Sequence, residues 1–249
     1  MDLKSTLLVV GGSVCSFKLL NTIIRFLPTP EPACKKKWKW RNTWISLTHS
    51  SLTGAWAVLS LYHQPHMLKD LISCHSLFSH SLVAVSTGYF IHDLLDLVLN
   101  QPLTQSWELL LHHSMVISCF GLAVTSRLYL GLAVVSLLIE INSVFLHIRQ
   151  LLLLSGHRNR LETATAAPCP SVAYRLTSWF NLGTLLVFRL CTMGWMTRWM
   201  ASHSECMPRY VFMMGTAGLS LISCMNMVLL HRLLRADFLT STHNINKGH

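Results

Sequence analysis

Of the chain's 249 residues, 51% are hydrophobic and only 12% are charged, and the mean hydropathy is +0.44. Soluble domains carry roughly 25% charged residues, so the composition excludes an ordinary soluble domain. The net charge of +10 does not point to nucleic acid, because the basic residues stand beside long apolar blocks. Anionic headgroups are the expected partner there, each nearby Lys or Arg contributing about 1 kcal/mol.

A helix needs about 20 apolar residues to cross a bilayer, and its backbone must be satisfied internally. The runs of Leu, Val, Ile and Met lack the alternation of barrel strands. The sequence therefore predicts an all-α, multi-pass transmembrane helical bundle of about seven spans, near residues 5–27, 43–62, 80–99, 107–125, 129–152, 179–199 and 210–234. The first run carries Lys18 and Arg25 and lacks a small-residue cleavage site before Pro28. It reads as a retained span rather than a signal peptide. His112, His113 and Ser114 interrupt the fourth span, and only Ser126, Arg127 and Leu128 separate it from the fifth. Residues 155–178, with Pro168 and Pro170, read as a surface loop within one domain.

The stretch Lys35-Lys36-Lys37-Trp38-Lys39-Trp40-Arg41 is too basic to translocate easily, and the positive-inside rule puts it in the cytosol. Seven alternating spans then add Arg149, Arg158, Arg160, Arg175, Arg232, Arg235 and Lys247 to that side. Lys4, Lys69, Arg127, Arg198 and Arg209 fall opposite. This places the N-terminus outside or in a lumen and the C-terminus in the cytosol. Residues 35–41 are the expected headgroup contact, with Trp38 and Trp40 as interfacial anchors. Cys74 and Cys206 share the non-cytosolic side, which leaves a bridge between them open.

Ionisable side chains inside spans are costly, about 2.5–3.5 kcal/mol at the centre. The third span ends in His92-Asp93-Leu94-Leu95-Asp96, with both aspartates on one face. The fourth carries His112 and His113; the fifth carries Glu140, Asn142 and His147; Arg189 lies in the sixth and Asn226 in the seventh. By helical rise Asp93, Asp96, His112, His113, His147 and Asn226 reach one layer in the cytosolic half, while Glu140 and Arg189 lie deeper. They suggest a polar site opening toward the cytosol, with Leu- and Met-rich helix faces enclosing acyl chains. His112, His113, Asp93 and Asp96 are the catalytic candidates. Arg189, Glu140, Asn142, His147 and Asn226 are the lipid- or headgroup-binding candidates.

Asp93 and Asp96 could cap a helix end, Arg189 could neutralise Asp93 or Glu140, and the two histidines could be a hydrogen-bonding pair. His49 reads as an interhelical hydrogen-bonding residue. No metal site is expected, since the topology puts His63, His66 and His75 away from His112 and His113. No cofactor is expected, although acyl-CoA is a possible substrate.

The motifs Tyr89-Phe90-Ile91-His92-Asp93, His112-His113 and Glu140-Ile141-Asn142 with Phe145-Leu146-His147-Ile148-Arg149 resemble the TLC-domain family. That family includes ceramide synthases and the translocating-chain-associated membrane protein. The segments 25–31, 85–90 and 188–190 with 194–196 are similar to its calfacilitin-like branch. The resemblance implies an N-terminal span and basic loop over 1–37, a six-helix TLC domain over 38–238 and a short cytosolic tail over 239–249. It also implies control of phospholipid acyl composition and fluidity, with restraint on polyunsaturated, fluidising chains. The implied location is the plasma membrane, with the endoplasmic reticulum as alternative. Ceramide synthases carry a further His-Asp-x-x-Asp element, and this chain has Leu132, Ala133 and Ser136 there. A ceramide-synthase-like acyltransferase using His112 or His113 is the alternative function.

Overall fold

The computed structural model describes residues 2–160 and 169–239. Its helices are α1 (Leu3–Phe26), α2 (Lys37–His63), α3 (Leu77–Asn100), α4 (Leu103–Ser126), α5 (Leu130–Leu137), α6 (Glu140–Leu154), α7 (Val172–Thr184), α8 (Thr192–Ser202) and α9 (Arg209–Leu233). A turn joins α5 to α6, and a π-helical segment, Leu185–Cys191, joins α7 to α8. Seven long rods result. Five of them, Leu3–Phe26, Leu77–Asn100, Leu103–Ser126, Leu130–Leu154 and Arg209–Asp237, are long and apolar enough to cross a membrane. Of the other two expected spans, α2 is diluted by Ser, Thr and His along its length. The second, α7–α8, is broken by the π-helical segment.

Local chemistry sets several boundaries. Asp2, Ser76 and Ser171 cap α1, α3 and α7 by accepting backbone N–H bonds from Ser5, Ser79 and Tyr174. The hydrogen bonds from Ser5 also hold the exposed Asp2 carboxyl below its ordinary range. The Ser171 cap starts α7 at Val172, so the loop expected over 155–178 ends sooner than its composition suggested. A two-residue antiparallel pair, Asn159–Arg160 with Cys169–Pro170, closes its base. The basic stretch expected as a loop is partly helical, because α2 begins at Lys37. The fourth span runs unbroken through His112, His113 and Ser114. The hairpin after it turns on Arg127 and Tyr129, both at positive φ (60° and 63°). The Tyr129 amide donates to the Ile72 carbonyl at 2.7 Å and pins that turn. Cys74 and Cys206 are both free thiols.

The packing is a ring. α3 contacts α2 and α4, α4 contacts α9, α9 contacts α8, and α6 bridges α7 to α2. α5 packs against α2, α3, α4 and α8 and plugs the ring at the end away from the basic stretch. α1 lies on the outside, against α3 and α2. The exterior is apolar, with Leu8, Leu19, Leu99, Phe180 and Met213 exposed, while Thr53, His49, Asn142 and Asn226 are buried. Such an inversion suits a protein whose solvent is hydrocarbon.

The tightest helix contact is α1 on α3. Ser13 Oγ donates to the Val85 carbonyl at 2.7 Å, and a Cβ placed on Gly88 would stand 2.5 Å from both the Val10 carbonyl oxygen and Ser13 Cβ. Small residues allow this approach. Gly88→Val should therefore force α1 off α3 and cost about 3 kcal/mol. Thermal unfolding of the purified chain in detergent checks it, and an unchanged midpoint would refute the packing.

Candidate functional site

The ring encloses a cavity of about 630 Å³. Its lining is polar in part, with Asn42, Ser46, His49, Ser50, Asp93, His112, His113, Glu140, His147, Arg189 and Asn226. The lining is also apolar and rich in sulfur, with Met115, Met196, Met200, Met207 and Met214 among its walls. Leu132, Ala133 and Ser136 also line it. Trp107 and Glu108 line it from the N-terminal part of α4 and Arg232 from the C-terminal end of α9; all three are exposed.

Asp93 anchors the polar groups. Asn42 of α2 donates to its Oδ1 at 2.5 Å, and His113 Nε2 of α4 lies 3.1 Å from its Oδ2. His113 Nδ1 lies 2.8 Å from the Leu109 carbonyl oxygen. Both ring nitrogens of His113 thus face acceptors, and neither is left for a ligand. His112, about 100° around the helix, lines the cavity too, and its buried Nδ1 has no partner. Of the two histidines, His112 is the one placed to meet a bound molecule.

His49 stacks on Tyr89 with ring centroids 3.7 Å apart, and Tyr89 donates to Ser46 Oγ at 3.0 Å. The reading of His49 as an interhelical hydrogen-bonding residue is replaced by ring packing, because its Nε2 is buried without a partner. Glu140 Oε2 accepts from Ser50 Oγ at 2.6 Å, and Glu140 stands in the first turn of α6, where the helix dipole favours a carboxylate. His147 lines the same cavity.

Arg189 departs from expectation. Its two terminal nitrogens donate to Asn226 Oδ1 and Ser143 Oγ, each at 2.8 Å, and its buried Nε has no partner. Among the described residues no carboxylate lies within 4.0 Å of it; the ion pairs are His113–Asp93 and Arg149–Asp237. Asp93 is paired with His113 instead, while Glu140 acts on the guanidinium only from beyond ion-pair distance.

Two candidates fall outside the cavity. Asp96 accepts from Asn21 of α1 at 3.1 Å and from Trp38 of α2 at 2.7 Å, so it ties three helices together. Asn142 donates to the Asn181 carbonyl, Asn181 Oδ1 and Thr184 Oγ1, fastening α6 to α7. Conversely, Asn42, Ser46 and Ser50 were missed. With His49 they recur at helical spacing, and that stripe was present in the sequence. Among the described residues no group of His, Cys, Asp and Glu is arranged to hold a metal.

The two histidines should separate on mutation. His113→Ala leaves buried Asp93 with Asn42 alone and should cost about 3 kcal/mol. His112→Ala should change stability by less than about 1 kcal/mol. Thermal unfolding of both variants in detergent reads this difference; equal losses would reject the assignment.

A model of the TLC domain matches residues 39–235. The chain is 48% identical over 242 residues to TLC domain-containing protein 2 of Danio rerio, covering 97% of this chain and 94% of that protein. It is 42% identical to TLC domain-containing protein 2 of Homo sapiens (98% and 88% covered). It is 37% identical to TLC domain-containing protein 1 of Gallus gallus (96% and 91% covered). No solved structure matches. With five helices able to cross a membrane, this is an integral multi-pass membrane protein. The chain belongs to the TLC domain family.

Proposed function

We propose that this protein regulates the acyl composition and fluidity of membrane phospholipid, limiting the entry of polyunsaturated, fluidising chains. It acts by holding lipid or acyl-CoA in the cavity of its helical bundle. The observation that carries this reading is one cavity whose walls combine charged and polar side chains with apolar, methionine-rich ones. An amphiphile needs both, and flexible, polarisable Met side chains adapt to chains of varied shape.

The second reading is acyl transfer, and the cavity position of His112 favours it. A general base there would take the proton of an attacking hydroxyl or amine as an acyl thioester is opened, a role usually contributing 10²–10⁴-fold. Against it, Leu132, Ala133 and Ser136 line this cavity at the positions where ceramide synthases are expected to carry a His and two Asp residues. They leave His112 without the second acidic element, so the regulator reading is preferred.

In the proposed setting the protein lies in the plasma membrane with residues 35–41 and its C-terminus in the cytosol. The basic stretch meets anionic headgroups there.

Gly218 offers a test of the cavity. A Cβ there would touch Met115 Cε at 3.8 Å and Cys119 Sγ at 3.9 Å without clash, so a larger side chain would occupy the lumen by displacing these cavity-lining neighbours. Gly218→Phe should fold normally, lose most co-purifying lipid and fail to alter cellular phospholipid composition. Mass spectrometry of the purified variant and of cell extracts measures both. Wild-type lipid content in a folded variant would defeat the proposal.

Orientation is read by cysteine labelling of Lys37→Cys, Lys69→Cys and Arg209→Cys in intact cells. Residues 69 and 209 should label from outside and residue 37 only after permeabilisation; labelling of 37 and 69 from one side would refute the topology.

A further inference from the structure

We infer that Arg189 is the anchoring site for the acid group, carboxylate or phosphate, of a single-chain lipid whose tail lies among the cavity's methionines. This rests on the proposed reading that the cavity holds lipid, and it names the ligand class. A guanidinium stays protonated when buried, and its planar fork matches the oxygens of a carboxylate or phosphate. In this protein two of its nitrogens are held by neutral acceptors, Asn226 and Ser143, and Nε is buried and unpaired. Of the carboxylates lining the cavity, Asp93 is paired with His113 and Glu140 accepts from the neutral Ser50, and among the described residues none forms an ion pair with Arg189. Arg189 is therefore oriented by neutral groups and offset only at longer range by Glu140, and its buried, unpaired Nε leaves the guanidinium open to an arriving anion.

Two independent features agree. Arg189 lies in the π-helical segment Leu185–Cys191, a rare conformation that concentrates at functional sites. The cavity volume of about 630 Å³ lies within the range of pockets that take one small ligand, which argues for one chain rather than two.

The test uses the full-length chain, purified in detergent and stripped of lipid. Binding of radiolabelled oleyl alcohol is measured directly, and oleate and oleoyl lysophosphatidate are then compared as displacers. All three carry the same tail. At least one acid should bind about tenfold or more tightly than the alcohol, and which acid does so identifies the source of the anion. Arg189→Gln should erase that advantage, bringing both acids to the level of the alcohol, whereas Arg189→Lys should retain part of it. Equal binding of alcohol and both acids by the wild type would overturn the anion site while leaving the lipid reading intact. Absence of binding by all three would overturn the lipid reading and this inference with it. The wild-type comparison decides even if Arg189→Gln does not fold.

Discussion

Polar groups inside hydrocarbon must find partners within the protein, and in this bundle Asp93 shows how that requirement organises the rest. Its carboxylate is reached by Asn42 from α2 and His113 from α4, so one residue of α3 fixes the angular position of both neighbours. One turn further along, Asp96 does the same for α1 and α2 through Asn21 and Trp38. With little hydrophobic drive between helices in lipid, such contacts specify which faces meet. α3 is accordingly the most enclosed of the five apolar helices. Its two aspartates separate in role: Asp93 faces the cavity, while Asp96 holds the outer helix in place.

The two interrupted rods carry two further charges of the cavity, Glu140 and Arg189. α5 gives way to α6 at Glu140, and α7 gives way to a π-helical segment containing Arg189. An unbroken helix repeats its polar face at a constant angle. A break re-aims a single side chain without turning the whole rod, and it is tolerated in a membrane where it borders protein or a cavity. The interruptions thus let one acid and one base project inward from rods whose outer faces remain apolar. Contacts of α6 and α9 with the π-helical segment bring Ser143 and Asn226 to the guanidinium.

Together these constraints leave a chamber whose walls combine chemistry with accommodation. The Asp93–His113 contact consumes His113, Ser50 steadies Glu140, and Asn226 and Ser143 steady Arg189. The methionine walls impose no such directionality, which suits a protein proposed to deal with acyl chains rather than with one rigid ligand. Membership of the TLC domain family agrees with a membrane setting.

The all-α, membrane-crossing class was legible in composition and in the length of the apolar runs, because both follow from hydrocarbon thickness and backbone satisfaction. The sequence also exposed Asp93, His112, His113, Glu140, His147, Arg189 and Asn226 as unusual, since charge and strong polarity in a span are visible residue by residue. It did not expose which way each one points. That Asp96 and Asn142 are helix fasteners, that His49 stacks on Tyr89, and that Arg189 lacks a carboxylate partner all depend on rotations of whole helices. Those rotations are set by many packing contacts between distant segments, such as Gly88 against Val10 and Ser13. The Asn42–Ser46–His49–Ser50 stripe was readable as a periodicity, but only the ring of helices turned that stripe into a cavity wall. Composition and local pattern decide that this chain enters a membrane as helices; the mutual rotation of those helices decides which buried groups meet and which are left open to a ligand.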